Sequence, residues 1–183
     1  MNAAPRWIKA ADRPSTGGAK VVKMEGKQIL LLDTEVGLFA INNRCPHEGY
    51  PLSEGTLGHG EACPALLTCN WHNWKFDLRT GRALDGGDPV RTYPVEARGE
   101  EIWIDIADPP AEERRMRALE SYRAAFEDYD YERLARELAR LVRAGGHLED
   151  GLRAAAGWSH DRDRKSTRLN SSHEIPSRMP SSA

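Results

Sequence analysis

Cysteine is scarce: the 183 residues hold three, Cys45, Cys63 and Cys69. With two of them given to a metal, no pair remains for a disulfide, so a cysteine-stapled scaffold is excluded and a reducing cytoplasm is the expected compartment. Long apolar runs are missing too. No stretch approaches the roughly 18 residues of a membrane span, and Met1 to Ala11 lacks a signal-peptide core, so no membrane partner is expected. Neither sign of charge dominates. The net charge is −2, with 15 acidic against 12 basic side chains over residues 1–110. That leaves no basic footprint for nucleic acid, and only a slight acidic lean that would suit a basic protein partner. Glu-x-x-His pairs of the di-iron bundle type are absent as well. His147 and His160, with Glu149, Asp161 and Asp163, therefore read as solvated residues at helix ends.

What is present is concentrated in two short stretches, Cys45-Pro46-His47-Glu48-Gly49-Tyr50-Pro51-Leu52 and Cys69-Asn70-Trp71-His72-Asn73-Trp74-Lys75-Phe76-Asp77. Each offers one thiolate and one imidazole, as C-x-H, 21 residues, then C-x-x-H. Two cysteines and two histidines suit tetrahedral zinc, but zinc modules space the ligands of each pair by two or more residues. Loops that each give one ligand to each of two irons fit this spacing better. The chain resembles the Rieske iron-sulfur proteins, most closely the soluble ferredoxin type, over residues 6 to 107. The resemblance implies one 2Fe-2S cluster per chain, with Cys45 and Cys69 on one iron and His47 and His72 on the other. It implies a one-electron carrier with no catalytic residues of its own, and redox partners that are a reductase, an oxygenase or both.

Departures from the family pattern carry information. The second loop of the family reads Cys-Pro-x-His-Gly, whereas Asn70 and Asn73 stand at the Pro and Gly positions here. Asparagine tolerates a left-handed backbone best among non-glycine residues, so the loop can still close. Respiratory members add a disulfide and two hydroxyl donors at positions that here hold Tyr50, Trp71, Trp74 and Phe76. Hydrogen bonds to sulfur favour the reduced cluster, so their loss implies a potential in the lower part of the roughly −150 to +300 mV span. The segment between the two motifs is a few residues longer than in the ferredoxin type, with the surplus near Gly58 to Pro64, and Cys63 and His59 read as a spare loop thiol and an exposed loop residue.

The expected fold is an all-β Rieske iron-sulfur domain over residues 1–108, antiparallel sheets with an inserted cluster-binding subdomain, followed by a short helical region. Strands are expected over Arg6–Ala11, Lys20–Met24, Gln28–Thr34, Val36–Asn42, Leu66–Thr68, Lys75–Asp77, Arg82–Leu84, Thr92–Ala97 and Glu101–Ala107. The continuous run Ile29 to Leu32 reads as buried on both faces. Gly86 to Pro89 should fold back over the cluster. After Asp108-Pro109-Pro110 the apolar period changes from two to 3.6, and residues 111–163 read as three helices. One face is formed by Met116, Leu119, Tyr122 and Phe126, a second by Leu134, Leu138, Leu141 and Val142, and a third by Leu148, Leu152, Ala155 and Trp158, with Asp128 or Asp130 capping the middle helix. Residues 164–183 are Ser-rich and resemble translated cloning sequence, so they read as a disordered, non-native tail. On that reading residues 111–163 begin a truncated second domain. Two alternatives then stay open: an electron-input domain of a fused oxidoreductase or oxygenase, and a zinc-stabilised interaction module.

Overall fold

The apolar run Ile29 to Leu32 lies where two cores meet. Successive side chains on a strand point to opposite faces, and here each face finds its own core. Leu30 and Leu32 pack with Cys45, Leu52, Cys69, Phe76 and Val90. Ile29 and Leu31 pack with Tyr93, Ile102, Ile104 and Ile106. The run is therefore buried on both faces, as its lack of alternation requires. The computed structural model describes residues 4–13, 17–60 and 63–171. Its contacts divide the chain into two units, Ala4–Asp108 and the residues from Pro109 on.

The first unit contains β1 (Trp7–Asp12), β2 (Ala19–Met24), β3 (Lys27–Thr34), β4 (Gly37–Asn42), a 3-10 turn (Leu52–Glu54), β5 (Thr56–Gly60), β6 (Cys63–Thr68), β7 (Lys75–Asp77), β8 (Ala83–Asp85), β9 (Val95–Arg98) and β10 (Glu101–Asp105). They form antiparallel sheets in the orders β2-β3-β4, β1-β10-β9 and β5-β6-β7-β8. The last of these is the insert, lying between β4 and β9 in the chain. Two expected elements need correction. Thr56–Gly60 and Cys63–Thr68 on either side of the expected loop are paired strands, and Cys63 is the buried first residue of β6 rather than a loop thiol. The strand expected from Thr92 starts only at Val95, because Pro94 has no N–H for the ladder; Thr92 makes a single bridge to Ile41. The side chain of His59 lies outside the described residues.

One carboxylate organises the β7–β8 turn. Asp77, nearly buried, accepts hydrogen bonds from the Arg79 backbone N–H, Nε and Nη2, each at 3.0 Å. The Arg79 guanidinium holds the Asp77 carboxyl below the usual carboxylate range. A carboxyl depressed on folding stabilises the fold fully at neutral pH and loses that contribution as pH falls below about 4, through its folded value. Arg79 is half exposed, so Asp77→Asn should cost only about 1 kcal/mol at pH 7. Urea unfolding should show the gap between the variant and the parent narrowing as pH falls below about 4.

From Pro109 on the chain forms α1 (Ala111–Glu127), α2 (Tyr131–Arg143) and α3 (Leu148–Ser171). Asp130 caps α2, its side chain accepting from the Arg133 N–H at 2.9 Å. The buried faces include Tyr122 and Leu141 as expected but differ in their other members. Ala118, Tyr122 and Ala125 are buried on α1 and Glu137 and Leu141 on α2, while Met116, Val142, Leu148 and Leu152 are exposed. Small residues set these faces because the helices approach closely: a Cβ on Gly151 would lie 2.5 Å from Leu138. Phe126 stacks on Trp158 with centroids 5.1 Å apart, tying α1 to α3. The helix α3 passes Asp163 and runs to Ser171, which corrects the expectation of disorder from Arg164. Residues 172–183 of that expected tail lie outside the described residues.

Candidate metal centre

The two ligand stretches are one loop built twice. In the first, the Cys45 N–H donates to the Tyr50 carbonyl at 2.9 Å and the Gly49 N–H returns to the Cys45 carbonyl at 2.8 Å. In the second, the Cys69 N–H donates to the Trp74 carbonyl at 2.8 Å and the Asn73 N–H to the Cys69 carbonyl at 2.9 Å. The residue four after each cysteine is left-handed, Gly49 at φ 77° and Asn73 at φ 59°. Asn73 thus does the work of glycine, as its sequence position requires. Asn70 replaces proline with cross-links, accepting from Thr56 Oγ1 at 3.0 Å and donating to the Glu54 carbonyl at 2.6 Å. The second loop is thereby fixed to the 3-10 turn that follows the first.

Aligned on their cysteines, the loops place Trp71 opposite His47 in the pattern, Glu48 opposite His72, and Trp74 opposite Tyr50. The side-chain contacts obey the same exchange. Trp74 stacks on His47 (4.7 Å, 12°) and Tyr50 stacks on Trp71 (5.5 Å, 18°). His47 Nδ1 lies 3.1 Å from His72 Nδ1, and Trp71 Nε1 donates to Glu48 Oε2 at 3.1 Å. One half of the pattern holds two imidazoles, and the other holds an indole and a carboxylate.

The four expected donors form two pairs, one of thiols and one of imidazoles, rather than one group of four. Cys45 and Cys69 are buried, 4% and 1% exposed, at the inner end. Burial pushes the Cys45 thiol up to about 11; the neighbouring Cys69 adds to the rise, while the N–H groups of His47 and Glu48 oppose it. A buried thiol pair of this kind calls for a cation to ionise it. At the outer end the imidazole nitrogens converge as two ligands of one metal would. Among the described residues, donor atoms of His47, Glu48 and His72 lie within 4.8 Å of one another, and neither thiol belongs to that group. A single tetrahedral ion with bonds of about 2.0–2.3 Å would draw all four donors within about 4 Å of each other. Separate thiol and imidazole pairs instead suit a binuclear group with sulfur ligands on one metal and nitrogen ligands on the other.

The surroundings complete the enclosure. Gly86 (φ 114°) packs its backbone on Trp74; a Cβ there would lie 2.3 Å from the ring. Gly86 thus lies against Trp74, whose ring stacks on His47, and Asp88, two residues on, is fully buried. Cys63 is not in either loop and lies beside Arg79. His147 and His160 are exposed and belong to no donor group among the described residues. Glu48 was not foreseen, because no spacing rule singles it out; superposing the two loops on their cysteines is the signal that finds it.

Comparison with known proteins agrees with this geometry. A family model described as "Rieske [2Fe-2S] domain" matches residues 6–94. The ferredoxin component of the naphthalene 1,2-dioxygenase system of Pseudomonas aeruginosa is 34% identical over 107 residues, which is 56% of this chain and 97% of that protein. The 4beta-methylsterol monooxygenase of Methylococcus capsulatus is 36% identical over 102 residues, 49% of this chain but only 26% of the enzyme, so the chain spans about a quarter of that relative. Among solved structures, a putative NADH-dependent nitrite reductase small subunit from Mycobacterium tuberculosis shares the fold, with TM-score 0.53 and 22% identity over 58% of this chain and 99% of its own. A ferredoxin component matched over nearly its whole length leaves no ambiguity of family: this chain is a Rieske protein, and the group its domain is built to hold is a 2Fe-2S cluster.

Proposed function

We propose that the chain is a low-potential one-electron carrier of the ferredoxin type, with Cys45 and Cys69 on the inner iron and His47 and His72 on the outer. When bound, a 2Fe-2S cluster supplies the one-electron couple. The separation of a buried thiol pair from a converging imidazole pair carries the reading. The residues present sort into clear tasks. The thiols, buried beneath Leu30, Leu32 and Phe76, exclude water from the inner end. Trp74, backed by Gly86, holds the His47 ring in plane. The His72 side chain, 40% exposed, is the edge a partner protein can reach. A low potential is supported by Trp74 and Phe76, which carry no hydroxyl, and by Trp71, whose N–H is committed to Glu48.

The partners proposed are a reductase that loads the carrier and an oxygenase that empties it, by likeness to the dioxygenase ferredoxin component. The location proposed is the cytoplasm. Among the described residues no helix is long and apolar enough to cross a membrane. Full-length protein purified without oxygen should be red-brown, with two irons and two sulfides per chain, and should give a rhombic spin-resonance signal on reduction. Stoichiometric zinc with no sulfide would overturn the proposal and restore the interaction-module reading.

A further inference from the structure

The repeated loop assigns a task to the half of the site that holds no expected ligand. We infer that Glu48 is a positioning and potential-setting residue: its carboxylate pins the Trp71 indole and fixes a negative charge beside His72. The inference rests on the proposed cluster ligation and goes beyond it, since neither residue is needed to hold iron. Three observations carry it. Glu48 occupies in the first loop the place that His72 occupies in the second, so its side chain is delivered to the same end of the site. Its Oε2 accepts from Trp71 Nε1 at 3.1 Å and lies 4.0 Å from His72 Nδ1. Trp71 is held on its other side by the Tyr50 ring, and its edge meets His72 at 5.6 Å between centroids, nearly perpendicular.

The physical consequence follows from the sign of the charge. Reduction of a bound cluster would add one negative charge to the site that these side chains surround. A carboxylate held within a few ångströms of one imidazole disfavours that added electron more than a mobile, hydrated carboxylate would. Glu48 is half exposed, so the effect is screened but not abolished. Fixing the carboxylate is the task of the Trp71 N–H, which is a donor only and meets one acceptor here. Tyr50 in turn keeps the indole from swinging away. The two halves of the pattern thus divide the work: one holds the metal and the other sets how readily it is reduced.

The test is a redox titration of the loaded, full-length protein with Glu48→Gln, which keeps an acceptor for Trp71 but removes the charge. The redox equilibrium constant should shift about tenfold toward the reduced form, a rise of about 59 mV for one electron. The gap from the parent should narrow as ionic strength rises. Trp71→Phe should move the potential the same way by about threefold, because the charge is kept but no longer pinned. Iron, sulfide and absorption are read on the same samples, so a failure of the cluster assignment is seen separately from a failure of this one. An intact cluster whose equilibrium changes less than twofold in Glu48→Gln would overturn the inference. So would a variant unable to hold the cluster, which would make Glu48 a structural residue of the loop. A rise in Glu48→Gln with none in Trp71→Phe would overturn the pinning role.

Discussion

Replacing Cys45 or Cys69 with serine should give a colourless protein with no sulfide, whereas Cys63→Ser should keep its full cluster. The difference follows from placement rather than from chemistry, since all three thiols are buried. Cys45 and Cys69 lie at the start of the repeated loops, with the N–H groups of His47 and Glu48 aimed at the Cys45 sulfur. Serine at either position offers a hard, protonated oxygen where a soft thiolate is required. It also leaves a buried hydroxyl without a metal. Cys63 belongs to the β5–β6 hairpin, where its neighbour is the Arg79 guanidinium. Iron and sulfide analysis with visible absorption decides the matter. Cluster loss in Cys63→Ser would mean that the ligand set has been misread.

An equally large effect on stability is expected at Gly81. This residue ends the β7–β8 turn with φ 74°, and a Cβ on it would lie 2.1 Å from the Val90 carbonyl oxygen and 3.0 Å from the Thr92 methyl. The obstructing atom is backbone, held in place because the Val90 N–H donates to the Gly81 carbonyl at 2.9 Å. Val90 itself is buried in the core that contains Cys45 and Cys69. Neither partner can yield without opening the cluster core. Gly81→Ala should therefore cost about 3 kcal/mol or more, a large share of an ordinary domain's stability. Gly26→Ala is the matched control. Its φ is also 74°, but nothing lies within 4 Å of the added methyl, so only the left-handed strain of about 1 kcal/mol remains. Urea unfolding of the loaded protein should separate the two variants by about 2 kcal/mol; equal losses would show that conformation rather than crowding decides.

The ligand loops were legible because their chemistry depends on residue identity at short range: a thiol, an imidazole and a residue that accepts a left-handed backbone, all within a few positions. The strands with clear patterns were legible for the same reason, as with Ile102, Ile104 and Ile106, all fully buried. What escaped depended on partners far away in sequence. The strand β5 contains two glycines, so it has too few side chains to show alternation. The helix faces are only partly legible, Tyr122 and Leu141 being buried but Met116 exposed, because burial there is decided by how closely neighbours approach, which favours Ala118 and Ala125. The role of Glu48 depends on Trp71, on the other loop, and no local pattern announces it.

The two-sided burial of β3 has a further consequence, which concerns alternative strand pairings. On an ordinary half-buried strand a shift of one residue would expose its apolar face, and that penalty fixes the pairing. On β3 a one-residue slip would exchange Ile29 and Leu31 for Leu30 and Leu32, apolar for apolar, so hydrophobicity alone does not choose between the two. Selection has to come from the strand's ends. At one end Glu25 and Gly26, both left-handed at φ 47° and 74°, form a two-residue hairpin of the kind that admits a single pairing between Met24 and Lys27. At the other, buried Asp33 meets Arg13 at 2.7 Å, a contact that a slipped strand would turn away from. The strand that joins both cores is thus aligned by residues that belong to neither.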